Sequence, residues 1–363
     1  YTRKQIFEFA ESELLAIENE LKVPGSNEYG RVDRVAGWFL LARMYLNAQT
    51  WINENKYQEA YIYATKVIAD GHYPLASDYR EIFLADNNTC KEIIWPLVQD
   101  GLRAQSSAGT NFYVKAFVNG PMDELYKTGV GSRGWGNVRA KVSLVDAFDA
   151  DDVMFDGNDT WGNNKKDKRA QFMTALPNQV KDTWDVNMDM TSTFTCGYGY
   201  IKWRNVTKED ELSASGDAYT SIDFPLFRTA DAYLMAAEAI LRGASGTKSE
   251  ALGYVNEVRT RAYMSGKYAK NGVRSDVSGE IGANELDLDF LLLERQKELA
   301  SELIRRTDLI RFGKYTKGNN WDWKNGVRLG EDVDDKYNLF PIPESELTNN
   351  PTLVQNDGYK VIK

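Results

Sequence analysis

The spacing of apolar residues predicts a mainly α-helical protein, in which tetratricopeptide-like hairpins form a scaffold around a loop-rich, partly β central segment. Three observations carry that reading. Residues 31–75 and 226–263 each hold two apolar stripes of helical period separated by a break. Between 100 and 225 that period fails, and Gly, Asn, Asp and aromatic residues dominate. Beyond residue 285 apolar and charged positions resume a helical spacing.

Taken in order, Ile6, Phe9, Leu14, Ile17 and Leu21 predict a first helix behind a Thr cap. Val35, Trp38, Leu41, Ala42 and Tyr45 mark one face of a second, and Ala60, Ala64, Val67 and Ile68 mark its partner. Gly71 and Pro74 are stops. Trp-x-x-Leu-Ala-x-x-Tyr followed by Ala-x-x-x-Ala is similar to a tetratricopeptide repeat with an insertion around 51–55. Glu92 to Trp95 reads as a strand. The second hairpin carries Ala230, Tyr233, Leu234, Ala237 and Ile240, a Gly-Ala-Ser-Gly break, then Ala251, Val255, Val258 and Ala262. A third pair spans 285–315, with Leu291, Leu292, Leu299, Leu303 and Leu309 as its apolar stripe and Gly313 as its stop.

Glu294, Glu298 and Glu302 recur every four residues and share a face. Glu302 and Arg306 are spaced as an i,i+4 pair, and Asp308 and Arg311 as an i,i+3 pair. Such carboxylates and arginines suit an ion-pair lattice far better than a catalytic dyad, because a one-turn spacing sets no general-acid geometry. This block, Glu294-Arg295-x-x-Glu298-Leu299 and Arg305-Arg306-x-Asp308-Leu309-Ile-Arg311, precedes Pro341-Ile342-Pro343, Asn350-Pro351 and Gln355-Asn356-x-Gly358-Tyr359.

In that order the motifs resemble the C-terminal signature of the SusD/RagB family of glycan-binding lipoproteins. Leu226 to Ala239, Asn256 to Ala262 and Leu41 to Leu46 match the same pattern, so the resemblance covers nearly the whole chain. It implies a single SusD-like unit over 1–363 lacking its amino-terminal part. Residues 1–99 and 226–315 would be helical scaffold, 100–225 a ligand-binding insertion, and 316–363 a tail. It further implies a non-enzymatic protein, lipid-anchored at the outer-membrane surface, that binds an oligo- or polysaccharide for a SusC-like, TonB-dependent transporter. Three rival readings are a peptide or glycoprotein-fragment binder of the same fold, a helical glycoside hydrolase, and a pure assembly scaffold that would leave the Trp-rich loops buried.

The net charge of −9 argues against nucleic acid as a ligand, since phosphate binding needs a basic footprint. No stretch approaches the ~20 apolar residues of a membrane span. The one histidine, His72, argues against Ser-His-Asp or Cys-His chemistry and against His-rich metal sites. Cys90 and Cys196 leave both a disulfide and two free thiols open. No cofactor is implied. The acidic runs at 149–152 and 156–159 lack the Gly and distal Glu of an EF-hand at their required positions, so they read as solvated loops, with structural Ca²⁺ the alternative.

Sugars present a C–H face and a rim of hydroxyls. Aromatic rings match the first, and Asn, Asp and Arg match the second. Three places in the central segment hold that mixture. Trp135 with Asn137 and Arg139, ringed by Gly129, Gly131, Gly134 and Gly136, comes first; the resemblance places such a loop, just before the Leu144–Asp149 helix, near the glycan. Trp161 with Asp156, Asn158 and Asp159 is second, and Phe112 with Tyr113 is third. Trp203 lies in an alternating, strand-like run and reads as core, while Trp321 and Trp323 stand in a polar loop.

Overall fold

In the computed structural model, which describes residues 1–119, 126–153, 165–174, 198–264, 278–318, 321, 327 and 330–360, the first two helices begin where the sequence supplies a side-chain cap. Thr2 and Gln5 form a reciprocal capping box at the start of α1 (Arg3–Ile17). Asp33 accepts from the Ala36 amide at the start of α2 (Arg34–Ile52), which ends where Asn53 turns left-handed. α3 (Tyr57–Asp70) ends on Gly71 at φ +75°, a conformation that costs glycine little. The predicted first hairpin is therefore α2 and α3.

The chain forms two compact units, Tyr1–Glu302 and Leu303–Lys363. In the first unit, β1 (Ile93–Leu97) and the short helix α4 (Thr110–Ala116) follow α3. α5 (Val142–Val145) and α6 (Ala150–Val153) stand where one helix around 144–149 was expected. β2 (Phe172–Thr174) and β3 (Tyr198–Tyr200) come next, then β4 (Phe224–Arg228). The second hairpin is α7 (Thr229–Leu241) and α8 (Lys248–Met264), and α9 (Leu288–Leu299) is capped by Asp287.

α2 packs on α3, α3 on α7, and α7 on α8, so the two hairpins stack as adjacent repeats despite the long insertion between them. Small side chains make that possible. Ala60 and Ala64 of α3 and Ala232, Ala236 and Ala239 of α7 are fully buried in one cluster with Phe39, Leu46 and Met235. On α1 the inward stripe is Phe7, Ala10 and Leu14, whereas Ile6 and Phe9, one residue out of phase, are exposed.

Among the described residues the strands form two short antiparallel pairs. β1 pairs with β4 through register shifts, and Pro96 faces Pro225. Neither proline can donate to a ladder, which keeps this pair short and bulged. β2 pairs with β3, placing Phe172 opposite Tyr200.

The carboxylate face of α9 is buried. Glu294 binds Arg169 and Arg259 at 2.6 Å each, and Glu298 receives Arg228 at 2.6 Å, Arg169 at 3.2 Å and also Arg261. Glu92 joins Arg228 at 2.9 Å and Arg261 at 2.6 Å, Glu302 binds Arg228 and Lys202, and Asp167 holds Arg169 through two 2.8 Å bonds. Five carboxylates and five cations thus cancel in the interior, as a buried lattice must. The Glu-x-x-x-Glu spacing serves architecture.

The third apolar stripe differs from expectation. α9 stops at Leu299, Ser301 and Leu303 adopt positive φ, and Leu303 is 76% exposed. Glu302 is engaged with Arg228 and Lys202, while Arg306 donates to the Tyr337 and Asn338 carbonyls, so the expected i,i+4 pair gives way to tertiary partners. In the second unit, α10 (Arg305–Arg311) keeps the Asp308–Arg311 pair at 2.7 Å and stops at Gly313, φ +69°. α11 (Glu344–Asn349) follows. The tail motif acts as a clasp. Gln355 bonds both the amide and the carbonyl of Ile342, Asn356 bonds the Phe340 carbonyl, and Tyr359 bonds that of Leu339. The Arg306 guanidinium lies 4.1 Å from the Phe340 ring centre.

Candidate glycan-binding platform

Two of the three aromatic candidates come together. Phe112, on the first turn of α4, and Trp135, on the glycine-rich loop, have ring centroids 6.0 Å apart at 59°. Phe112 is 42% exposed and Trp135 40%, so both offer part of a face to solvent. Tyr113 is half-buried and does different work. It sits edge-on to Phe112 at 5.9 Å and stacks on Trp203 at 5.4 Å, and Trp203 in turn stacks on Phe224 at 5.5 Å and 10°. The exposed pair is rooted through this column in the aromatic core that also contains Phe83 and Tyr79. Such rooting lowers the entropy lost when a ligand stacks on the surface rings.

The loop carrying Trp135 is held by backbone bonds to the C-terminal end of α4. The amides of Trp135, Asn137 and Val138 donate to the carbonyls of Lys115 and Ala116 at 2.8–3.0 Å, and the Gly136 amide donates to that of Val118 at 2.7 Å. The loop therefore satisfies carbonyls that every helix end leaves open. Gly134 permits the approach: a Cβ there would lie 2.5 Å from the Val118 carbonyl oxygen.

Polar residues lie on, or bond to, the loop and the helix that carry the rings. Asn137 is exposed and Arg139 half-buried. Arg133 pairs with Asp217 at 3.0 Å, both solvent-accessible, and Gly131 leaves room for that carboxylate, 2.9 Å from where a Cβ would stand. Lys115 is buried, its ammonium donating to the Ala218 carbonyl and lying 5.9 Å from the Tyr219 ring centre. Burial, then the charge of Arg133, pushes its pKa down. Arg133, Lys115 and Asp217 were not among the sequence candidates. Arg133 sits in the same Gly-rich run as Trp135 and was within reach of that reasoning, but nothing in the sequence ties Asp217 to it.

The model for the SusD family matches residues 91–359. The chain belongs to the SusD family. The starch-binding protein SusD of Bacteroides thetaiotaomicron is 32% identical over 386 aligned positions, covering 98% of this chain and 66% of the relative. SusD-like protein P25 of Formosa agariphila is 25% identical, covering 91% of this chain and 59% of that one. The chain thus spans roughly two thirds of the length of these relatives. Among solved structures, surface glycan-binding protein A of Bacteroides uniformis superposes with a TM-score of 0.67 at 24% identity, over 98% of this chain and 69% of that one. Surface glycan-binding protein A of Bacteroides thetaiotaomicron, in complex with laminarihexaose, gives 0.63 at 22%, over 98% and 70%. At these identities the two structures establish the shared SusD-like fold.

The remaining sequence candidates are distributed as follows. Trp161, Asp156, Asn158 and Asp159 lie outside the described residues, as do Trp323 and Cys196. Trp203 is fully buried. Trp321 is half-buried, its indole donating to the Tyr315 carbonyl at 2.9 Å. Cys90 is a buried free thiol whose pKa burial, then the charge of Glu92, pushes up to about 12. Asp152 is buried and accepts from the Lys166 and Asp167 amides at 2.6 and 3.1 Å, so it staples a loop. Among the described residues no group of three or more His, Cys, Asp or Glu is placed to hold a metal. No described helix is long and apolar enough to cross a membrane. Both oxygens of Glu294 and of Glu298 are taken by guanidinium groups, which leaves neither carboxylate free for acid–base work.

Proposed function

We propose that this protein is a non-enzymatic, cell-surface glycan-binding protein that captures an oligo- or polysaccharide on the Phe112–Trp135 platform. The observation that carries the reading is the exposed aromatic pair, rooted in the core through Tyr113 and Trp203, with Arg133 and Asn137 on the same loop as Trp135. Rings of this kind cover the C–H faces of sugars, and planar polar groups beside them meet hydroxyls. The starch-binding relative and the laminarihexaose-bound neighbour support a glycan as the ligand class. Arg139 and the Trp161 group, Asp156, Asn158 and Asp159, complete the proposed contact set.

In this reading the helices of 1–99 and 226–315 are the frame, and 100–225 carries recognition. The protein is lipid-anchored at the outer membrane and hands its glycan to a SusC-like, TonB-dependent transporter. Two mutually tilted rings on an open surface give weak capture, with a Kd of about 10 µM to 1 mM, because modest burial must offset the lost freedom of the sugar.

Affinity gel electrophoresis against starch, laminarin and a wider polysaccharide panel tests the proposal, with Trp135→Ala and Phe112→Ala run beside the parent. We expect retardation by at least one polymer, no release of reducing sugar, and a loss of about tenfold or more in affinity for each variant. Retardation unchanged in both variants would remove the platform from the site. Reducing sugar released in step with protein concentration would overturn the non-enzymatic reading.

A further inference from the structure

A second cleft, of about 250 Å³, is lined by residues within 25–33, 72–73 and 88–96. It lies between the turn entering α2, the turn leaving α3 and the approach to β1. Its floor is buried: Asp33, Cys90, Ile93 and Ile94. One wall is the His72 ring, which lies so close to Gly25 that a Cβ there would meet it at 2.3 Å, and which stands edge-on to Tyr73 at 4.8 Å. The volume is below the ~300–1,000 Å³ of drug-sized sites, so it has room for a single ring.

The hydrogen-bonding account of the cleft is unequal. Asp33 is spent on the Ala36 amide and on the Tyr73 hydroxyl, 2.5 Å away, and Tyr29 donates to Asp223 at 2.5 Å. Asn27 and Thr89 are occupied by backbone carbonyls. Glu28 has Arg31 at 3.6 Å, a long and exposed pairing. By contrast, Lys91, Asn88 and His72 line the cleft with no side-chain hydrogen bond or ion pair among the described residues. Of these three, Lys91 can only donate, whereas Asn88 and His72 also carry acceptor atoms. An ammonium and a loosely held guanidinium, with a carboxamide beside them, suit an anionic group, and the apolar floor suits a ring with C–H faces.

From this arrangement we infer that the cleft is a second binding site, distinct from the aromatic platform, for a single carboxylate-bearing sugar residue such as a hexuronate. Lys91 carries the charge recognition, Asn88 and Arg31 hydrogen-bond the carboxylate and a neighbouring hydroxyl, and the ring rests on Ile93, Ile94 and Tyr73.

Ligand-observed NMR and calorimetry with galacturonate and glucuronate, set against glucose and acetate, test this on the parent protein and on Lys91→Ala, Lys91→Arg and Trp135→Ala. Lys91 and Trp135 are both exposed, so matched melting temperatures serve as the folding control. We expect one of the two uronates to bind at least about tenfold more tightly than glucose or acetate. Lys91→Ala should erase that preference, Lys91→Arg should keep most of it, and Trp135→Ala should leave it unchanged. Equal binding of acetate would show an anion site without sugar recognition and overturn the assignment. So would equal binding of glucose, indifference to Lys91→Ala, or the absence of any uronate binding. Loss of uronate binding in Trp135→Ala alone would place the sugar on the platform and also overturn it.

Discussion

Glu298 is the carboxylate on which Arg169, Arg228 and Arg261 converge, and it has no solvent contact. Burial opposes its ionisation, but the three guanidinium groups outweigh that cost and hold its pKa well below the usual carboxylate range. Replacing it with Gln removes the charge and leaves three buried cations sharing too few acceptors. Breaking one side of a buried pair costs about 3–5 kcal/mol. Urea denaturation of Glu298→Gln at pH 7 should show a loss of that order at an unchanged slope, and a loss under about 1 kcal/mol would mean the lattice relaxes around the vacancy. The carboxylate side of this lattice was legible, because Glu294, Glu298 and Glu302 repeat at one helical turn. The rest of the lattice was not. Glu92, Arg169 and Arg228 come from distant segments with no periodic relation to α9, and only the folded chain brings them to it.

At the scale of elements, the proposed recognition platform depends on how a loop meets a helix end. The loop around Trp135 lends its amides to the last carbonyls of α4, and Gly134 passes against the Val118 carbonyl where no side chain fits. Gly134→Ala would place a methyl 2.5 Å from that oxygen, so loop and helix must part. Because the loop is surface-bound, we expect the melting temperature to fall by only a few degrees, for a cost of about 1–2 kcal/mol. Glycan affinity should drop about as far as in Trp135→Ala; unimpaired affinity would show that the platform does not need this clamp. The sequence marked both aromatic sites and the glycine cluster, since Gly and Trp in a segment without period signal an ordered loop. It did not show that Phe112 and Trp135 form one surface. The helical hairpins were legible because their stripes and stops are local. The break after α9 was not, because Leu303 continues the apolar spacing, while Glu302 is drawn to Arg228 and Lys202 and the turn follows that tertiary demand.

For the molecule as a whole, buried charge predicts how stability responds to acid. Asp231 joins Arg43 of α2 to Arg295 of α9 at 2.8 Å each, so one carboxylate of α7 ties three helices together. Burial raises its pKa, but Arg295 and then Arg43 outweigh that and lower it from 3.8 to about 2. Asp78, Asp167 and Glu298 shift in the same direction by the same balance. For each group the folded pKa lies below the unfolded one, so the unfolded chain binds more protons as the pH falls. The stabilisation is complete above the unfolded values of 3.8 and 4.5 and drains away as pH descends through the folded values. Asp231 alone accounts for about 2 kcal/mol. The urea midpoint should therefore hold steady from about pH 7 to 5, then fall steeply from about pH 4.5 downward. Asp231→Asn should start lower at neutral pH and fall less steeply, since its share of the proton uptake is gone. Raising salt to about 0.5 M should leave that acid limb in place, because buried pairs are screened far less than exposed ones. A limb that salt abolishes, or that keeps its slope in Asp231→Asn, would assign acid lability to surface charge instead of to the interior that ties the helical frame together.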